Sequence, residues 1–295
     1  MTPGKEGAVR LKTRPWRSRS PRQELARRFL RNPRIWFGVS VTVFFIVCAV
    51  FAPWLAPTKP DDMDIALRLA PPSAADWLGR DLNGASVLTA MLYGARTSLY
   101  ISFVTVALSV GVGTVIGLIA GYWRGAVDAV LMRIVDLLMA FPGILLAMVL
   151  AALMGPSLSN VIFAIAATGW TSAARLVRGQ TLSAREREFV VASRSLGASN
   201  FRLIFHHIFQ ETLSPLIVHA TFSLSGVIII EASLSFLGLG AQDGAPSWGA
   251  MLGQGRTVLT EAPFLSIAPG LAIGLLVLAL NFTGDALRDL LDPRR

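Results

Sequence analysis

Histidine and glutamate side chains near residue 207 have a spacing that could hold a metal ion. His207 and Glu211 are four residues apart, so on a helix they would share one face. His206 is adjacent to His207, and adjacent helical side chains point about 100° apart. A protein zinc site needs at least three ligands, and no third one lies nearby in the sequence. We therefore favour a structural or interfacial role for these residues and predict no metal site.

Two carboxylates lie in or beside long apolar stretches, where an ionised group is costly and usually faces a cavity or a partner. Glu231 follows Pro215 by 16 residues, which is about 24 Å along a helix. It could line a solute pathway, although a hydrogen bond to a neighbouring helix is the favoured alternative. Asp136 is three residues from Arg133, which favours a local ion pair.

A proline in one apolar stretch is a candidate hinge. Pro142, followed by a glycine, interrupts helical hydrogen bonding and permits a kink, which is useful in a gate but also common in inert spans. The candidate pathway or gate residues are Asp136, Phe141, Pro142, Glu231 and Ser235.

The sequence contains no motif of a nucleotide-hydrolysing or acyl-transfer site. It has no G-x-x-x-x-G-K-[ST] phosphate loop, so any ATP hydrolysis that drives the protein belongs to another chain. An intramembrane hydrolase would need a positioned nucleophile, and the chain has no G-x-S-x-G elbow. We predict that the protein is not an enzyme and that it has no catalytic, cofactor-binding or metal-binding residues.

These polar residues are embedded in a chain dominated by apolar segments. Of its 295 residues 53% are hydrophobic and 15% are charged, whereas a soluble domain carries about 25% charged residues. Six segments have the composition of membrane-spanning helices, which need about 20 residues each. They are 35–56, 97–121, 134–154, 158–178, 216–238 and 264–284. We predict an all-α polytopic membrane protein, because a soluble domain could not enclose so many apolar helices.

Positive charge is distributed unequally among the segments that join these spans. Of the 27 Lys and Arg residues, 22 fall in the amino-terminal arm, in the loops 122–134 and 175–215, and in the carboxyl-terminal tail. By the positive-inside rule we expect these parts, and therefore both termini, to be cytoplasmic. We interpret the basic arm as a segment near anionic lipid headgroups and disfavour the alternative that it binds nucleic acid. Cys48 is the single cysteine, so an intrachain disulfide is excluded.

Residues 185–209 are the most charged part of the largest internal loop. Helical spacing indicates two short amphipathic helices, with apolar faces at Phe189, Ala192, Ser193 and Leu196 and at Phe201, Ile204, Phe205, Ile208 and Phe209. Gly197 can end the first helix in a left-handed turn, and Ser199 can cap the second. From periodicity alone two interpretations remain open: an elbow that transmits force from a soluble partner, and a hairpin that rests on lipid.

The sequence around Gly197 resembles the EAA loop of ABC-importer permeases, in which a short coupling helix inserts into a groove of the ATP-hydrolysing subunit. Other stretches resemble the second permease subunit of the dipeptide/oligopeptide/nickel importer family. The resemblance covers roughly residues 75–293, in LGRDLNG (78–84), LYGAR (92–96), LMRIVDLLMAFPGILLA (131–147), ARLVRGQTLSAREREFV (174–190), EASLSFLGLGAQ (231–242), PSWGAML (246–252) and GDALRDLLDP (284–293).

This resemblance implies a type I ABC importer permease with six transmembrane helices and a cytoplasmic coupling-helix loop. It implies the following ATPase-coupling residues: Glu188, Val191, Ala192, Ser193, Arg194, Leu196, Gly197, Ala198 and Phe201. The implied partners are a homologous second permease, two ABC ATPase subunits that use ATP and Mg²⁺, an extracytoplasmic solute-binding protein and the lipid bilayer, with no nucleic acid.

The resemblance places the protein in a bacterial or archaeal plasma membrane. Dipeptides or oligopeptides are the expected solutes, while nickel, metallophore chelates and glutathione are alternatives within the same family. A secondary transporter driven by an ion gradient is a rival function, in which Glu231 would be the coupling carboxylate. A membrane scaffold without transport is a third interpretation.

The chain departs from the family pattern on both sides of the membrane. In the coupling motif Val191 and Ser193 replace a glutamate and an alanine, and Phe209-Gln210 replaces Leu-Pro. On the outer side Ala85-Ser86 and Asp243-Gly244 replace Arg-Asp and Pro-Pro. The first changes concern the polar details of the coupling contact, and the second concern the surface that a binding protein would meet.

We divide the chain into three parts. Residues 1–34 are the basic cytoplasmic arm, and residues 35–94 contain the first transmembrane helix and an external segment. Residues 95–295 are a five-helix permease core that carries the coupling loop at 179–215.

Overall fold

Helices form nearly all of the regular structure in the part of the chain that the structure, a computed structural model, describes, namely residues 33–241 and 246–291. They are α1 Pro33–Val50, α2 Ala52–Leu55, α3 Val87–Trp123, α4 Gly125–Met139, α5 Gly143–Met154, α6 Leu158–Ala184, α7 Glu188–Ser195, α8 Asn200–Phe236, α9 Trp248–Arg256 and α10 Phe264–Leu291. The predicted all-α class is confirmed. Most of the predicted basic arm and the Asp243-Gly244 departure lie outside the described residues.

Four of the described helices, α1, α3, α8 and α10, are long and apolar enough to cross a membrane, and α4 and α5 together pass as a fifth span. The six predicted spans all fall on helices, but the fourth, 158–178, falls on α6, which is not among those that pass. Ser159, Asn160 and Arg175 lower the mean hydropathy of α6. The described residues therefore support four or five spans by this criterion, and the count of six is not confirmed.

Close packing of α3 against α6 forms the most extensive helix contact among the described residues. Gly113, Gly117 and Gly121 of α3 recur every fourth residue and face α6. A Cβ atom on Gly113 would lie 2.5 Å from the carbonyl oxygen of Trp170, and one on Gly117 would lie 2.6 Å from that of Ala174. Small residues at this spacing let membrane helices approach closely. This spacing is visible in the sequence and indicates a close helix contact on that side of α3, while the structure identifies α6 as the partner.

The chain bends by 84° between α4 and α5. Pro142 precedes α5 with φ −57° and ψ 118°, outside the helical region. Proline lacks an N–H and disfavours helical backbone at the residue before it, so α4 cannot continue through this point. The kink predicted at Pro142 is confirmed, and Phe141 lies exposed at the bend.

Trp248, the first residue of α9, joins several helices at the end of the bundle where α3 begins. Its buried indole Nε1 donates a hydrogen bond to the carbonyl oxygen of Met91 at 3.0 Å. Its ring lies edge-on to Phe45 of α1, with the ring centroids 5.2 Å apart. These contacts fix one end of the bundle, while residues 185–208 lie against the other end of α3.

Candidate functional site

We call residues 185–208 the elbow, because two helical segments meet there at a sharp turn. The first segment, α7, is followed by Gly197, whose φ of +82° is in the left-handed region. The amide of Ala198 donates to the carbonyl oxygen of Ser193 at 3.1 Å and closes the turn. The Ser199 side chain then caps the first turn of α8. The left-handed turn predicted at Gly197 and the helix cap predicted at Ser199 are confirmed.

The side of the elbow that faces the bundle is held by buried apolar side chains. Val190, Leu203 and Ile208 are buried. They belong to one cluster with Leu118 of α3 and Val177 of α6. The elbow therefore packs against the ends of α3 and α6 through this buried side.

The second half of the elbow contains a π-helix, Leu203–Ile208, which changes the predicted apolar face. A π-helix bonds residue i to residue i+5, so Leu203 and Ile208 are brought to the same side. Phe201 and Phe205 were predicted to share the apolar face with Ile208, but they are 72% and 50% exposed. The predicted face is therefore wrong at these two phenylalanines, because an α-helical period does not apply there.

Apolar side chains also cover the exposed side of the elbow. They are Phe189, Val191, Leu196, Phe201 and Phe205. Leu196 is 89% exposed at the tip beside Gly197, and the rings of Phe201 and Phe205 pack with centroids 4.5 Å apart. Several large exposed apolar side chains on one short segment are typical of a surface that another molecule covers.

Most of the predicted coupling residues are exposed to solvent in this chain. Glu188, Val191, Ala192, Arg194, Leu196, Gly197 and Phe201 are exposed, and Ser193 and Ala198 are half-buried. The hydroxyl of Ser193 donates to the carbonyl oxygen of Phe189 at 2.8 Å. Serine at this position therefore satisfies its polar group within α7. The coupling role of all nine residues stays a prediction.

Tyr122, at the end of α3, links that helix to both halves of the elbow. Its hydroxyl donates to Oδ1 of Asn200 at 2.7 Å, and its carbonyl oxygen accepts a hydrogen bond from Arg185. Burial lowers the pKa of the Arg185 guanidinium, and Arg124 and Arg194 lower it further. This partial burial shows that Arg185 is part of the elbow's support.

Two ion pairs add further links between the elbow and the helices. Arg124, which follows α3, lies 2.6 Å from Glu186, and Arg187 lies 2.7 Å from Glu211 of α8. All four side chains are partly exposed, so each pair stabilises the fold by about 1 kcal/mol or less. Their main effect is to fix the direction of the elbow. These pairs are not visible in the sequence. Arg124 and Glu186, for example, are 62 residues apart.

Asp136 forms an ion pair with Arg175 of α6 at 2.7 Å, and not the predicted local pair with Arg133. The prediction was wrong because α6 lies beside α4 and brings Arg175 closer than the sequence suggests. Asp128 is held by both guanidinium nitrogens Nε and Nη2 of Arg178, one helical turn further along α6. Two ion pairs thus connect α4 to α6.

Glu231 is 0% exposed and is bound by hydroxyl groups from three elements. Ser98 of α3 donates to its Oε2 at 3.1 Å, Ser235 of α8 donates to its Oε1 at 2.8 Å, and Ser247 before α9 also bonds to it. The favoured hydrogen bond to a neighbouring helix is therefore present, in the contact with Ser98. The pathway role of Glu231 and Ser235 stays a prediction; both side chains are buried within this chain.

The histidines of the elbow and Glu211 contact other groups and are not arranged as ligands of one metal ion. Glu211 accepts from Arg187, while the ring of His207 lies 6.1 Å from the ring of Phe189 and 5.5 Å from that of His206, in edge-to-face arrangements. Among the described residues no group of three or more His, Cys, Asp or Glu could hold a metal ion. The histidines therefore contribute ring contacts within the elbow.

Two family descriptions match the chain. Residues 113–295 match the binding-protein-dependent transport system inner membrane component family. Residues 20–72 match the N-terminal transmembrane domain of oligopeptide transport permease C. The first match covers more than half of the chain and contains the elbow, the α4–α5 bend and Glu231.

Similarity to individual proteins extends over nearly the whole chain. A dipeptide transport system permease of Alkalihalophilus pseudofirmus is 42% identical over 93% of this chain and 90% of its own length. A glutathione transport system permease of Pectobacterium atrosepticum is 42% identical over 94% of this chain and 92% of its own. The chain therefore belongs to the binding-protein-dependent transport system inner membrane components, as a C-type permease subunit of the dipeptide/oligopeptide ABC importers.

Proposed function

We propose that this chain lines one half of a peptide pathway and that the elbow is its contact with an ATPase subunit. The two-sided construction of the elbow carries the proposal. One set of apolar side chains, including Leu203 and Ile208, is buried against the membrane helices, and a second set, including Leu196 and Phe201, is exposed. A groove in the ATPase can bury the second set. When the ATPase moves, the elbow moves with it, and the first set transmits this displacement to α3 and α6.

The contacts around the elbow determine how such a displacement spreads. Tyr122 and the Arg187–Glu211 pair join the elbow to α3 and α8, so closure of the ATPases moves the ends of both helices together. The bundle then rocks between inward-facing and outward-facing states. Phe141 and Pro142, at the α4–α5 bend, are the gate residues of this proposal. The chain breaks no bond in the solute.

The partners follow from the same scheme. A homologous second permease completes the pathway, two ABC ATPases consume ATP with Mg²⁺, and a solute-binding protein delivers the solute from outside. This chain itself binds no cofactor. The distribution of Lys and Arg supports a cytoplasmic elbow and two cytoplasmic termini in a bacterial or archaeal plasma membrane.

Short peptides are the solutes that the relatives support best. One relative is a dipeptide permease and another is a glutathione permease, and glutathione is itself a small peptide. Both solutes carry amide groups and charged ends. Dipeptides or oligopeptides are therefore the proposed solutes, with glutathione as the alternative.

Uptake into proteoliposomes tests this function. The chain is reconstituted with its co-purified permease, ATPases and binding protein, and entry of a labelled dipeptide is measured. We expect uptake that requires hydrolysable ATP and stops with vanadate, while a non-hydrolysable ATP analogue serves as the control. Uptake driven by an ion gradient in vesicles without ATPase subunits would instead support a secondary transporter.

A further inference from the structure

One exposed face of the bundle is polar, whereas the exposed faces in the middle of α3 and α10 are largely apolar. On α3 the exposed residues include Phe103, Leu108 and Val112, and on α10 they include Leu271 and Leu275. Such surfaces match lipid, whose interior offers no hydrogen-bond partner. The polar face therefore needs a different neighbour.

The polar face consists of Ser172 and Arg175 on α6 and His219 and Ser223 on α8. Each pair is spaced three or four residues apart, so its members share one side of their helix. The two helices meet at His219, whose Nε2 lies 3.5 Å from Oγ of Ser172 and 3.4 Å from Oγ of Ser223. Ser172 is exposed, and His219 and Ser223 are half-buried. The imidazole and both hydroxyls are thus within reach of a neighbouring molecule.

Depth in the membrane makes this exposure costly in lipid. Ser223 lies seven residues inside the predicted span 216–238, about 10 Å from its inner edge, and this span falls on α8, which is long and apolar enough to cross a membrane. The adjacent ion pair of Arg175 and Asp136 leaves 49% and 57% of those side chains exposed. Charged and polar side chains inside a span face a water-filled cavity or the bundle interior, and not hydrocarbon. The surface of this chain here must border water or protein.

We propose that the polar face forms this subunit's wall of the solute pathway in its inner half, and that His219 contacts the solute. This inference rests on the proposed peptide-import function. A neutral imidazole has one donor and one acceptor nitrogen, which suits the N–H and C=O groups of a peptide backbone. The half-exposed Arg175–Asp136 pair presents both signs of charge beside it, as a zwitterionic solute requires. Contact with the second permease is the competing explanation.

Thiol labelling separates these explanations. Cys48 is the only cysteine, so a Cys48→Ala parent accepts single reporters. Two variants, Ser172→Cys and Ser223→Cys, report on the polar face. The matched lipid-facing controls are Val112→Cys on α3 and Leu271→Cys on α10. Inside-out vesicles with the full complex are treated with a charged, membrane-impermeant methanethiosulfonate.

We expect Ser172→Cys and Ser223→Cys to react at least tenfold faster than the controls and to be protected by excess dipeptide. Reaction rates equal to those of the controls would overturn the inference. So would absence of labelling together with disulfide formation to the second permease, because the face would then be a subunit contact. ATP-dependent uptake by the Cys48→Ala parent is measured in the same vesicles, so failure of the proposed function is recognised separately.

Substitution of His219 tests the solute contact itself. His219→Gln keeps a donor and an acceptor, whereas His219→Leu removes both. Since one hydrogen bond is lost, we expect about a tenfold lower uptake efficiency in His219→Leu and a smaller loss in His219→Gln. ATPase stimulation by the empty binding protein should stay within about twofold of the parent in both. Unchanged uptake in His219→Leu, or an equal loss of stimulated ATPase activity, would contradict a solute contact.

Discussion

Gly197 controls the shape of the elbow through its backbone. Its φ of +82° is strained for any residue with a Cβ atom, although no atom lies near enough to clash. We expect Gly197→Ala to destabilise the turn by about 1–2 kcal/mol and to reduce ATPase co-purification with the complex. Gly179→Ala is the matched control, because Gly179 is helical and also open, and alanine should be neutral or stabilising there. Equal loss of ATPase from both variants would contradict a specific role for the turn.

Glu231 is a structural acceptor for three hydroxyl groups. Glu231→Leu leaves those hydroxyls without an acceptor, so we expect a loss of about 1–3 kcal/mol in stability, seen as a lower Tm of the purified complex. Glu231→Gln retains one acceptor oxygen and should lose less. If Glu231→Leu kept the parental Tm but abolished uptake, Glu231 would instead belong to the pathway.

Residue types alone predicted the parts of the site that depend on local backbone. Gly197 and Ser199 were identified because a left-handed turn and a helix cap depend only on the residue type and its near neighbours in the sequence. The partners of Asp136 and Glu231 were not, because Arg175 and Ser98 lie 39 and 133 residues away. Such pairs depend on tertiary packing, which periodicity does not report.

At the scale of elements, the α3–α6 pair determines how closely the membrane helices approach. We expect Gly117→Leu to separate these helices, since a Cβ there already meets the Ala174 carbonyl oxygen, and to cost about 3 kcal/mol. Gly111→Leu is the matched control on the same helix, because a Cβ at Gly111 meets no atom within 4 Å. The yield and the Tm of the complex are measured for both variants. A Tm for Gly117→Leu equal to that of Gly111→Leu would refute this packing role.

Hydropathy predicted where the helices lie in the sequence but not which of them are apolar enough to cross a membrane. The apolar runs of α3, α8 and α10 identify spans correctly. α6 was also read as a span, yet its polar residues keep it below the same criterion. Two of its polar residues, Ser172 and Arg175, contact groups on α8 and α4 and are nevertheless exposed. The π-helix in the elbow has no signal in the periodicity, and it is the reason that Phe201 and Phe205 were misplaced.

For the whole molecule, positive charge predicts the orientation in the membrane. In a Cys48→Ala background, Ser195→Cys in the elbow should be labelled by an impermeant thiol reagent only after cells are permeabilised. Thr257→Cys, which follows α9, should be labelled in intact cells. Both positions are exposed in this chain, and the chain is expressed without the ATPase subunits so that they cannot cover Ser195. The opposite pattern would reverse the topology inferred from the Lys and Arg distribution.

The overall architecture was predictable to the extent that it depends on composition and on motifs in order along the chain. The membrane class followed from long apolar segments, and the permease assignment followed from resemblance over residues 75–293. The shape of the surface that covers the exposed apolar side of the elbow was not predictable from one chain, because under the proposed function that surface belongs to an ATPase subunit. The elbow between α6 and α8 is therefore the place where the proposed function is most directly tested.

Photo-crosslinking from the tip of the elbow is that test. Leu196 is replaced by p-benzoylphenylalanine in the assembled complex, with the same replacement at Phe103 of α3 as the lipid-facing control. We expect irradiation to join the Leu196 probe to an ATPase subunit and to leave the Phe103 probe without that adduct. Adducts of the Leu196 probe with phospholipid alone would show that the elbow rests on the membrane surface and would contradict ATPase coupling through it.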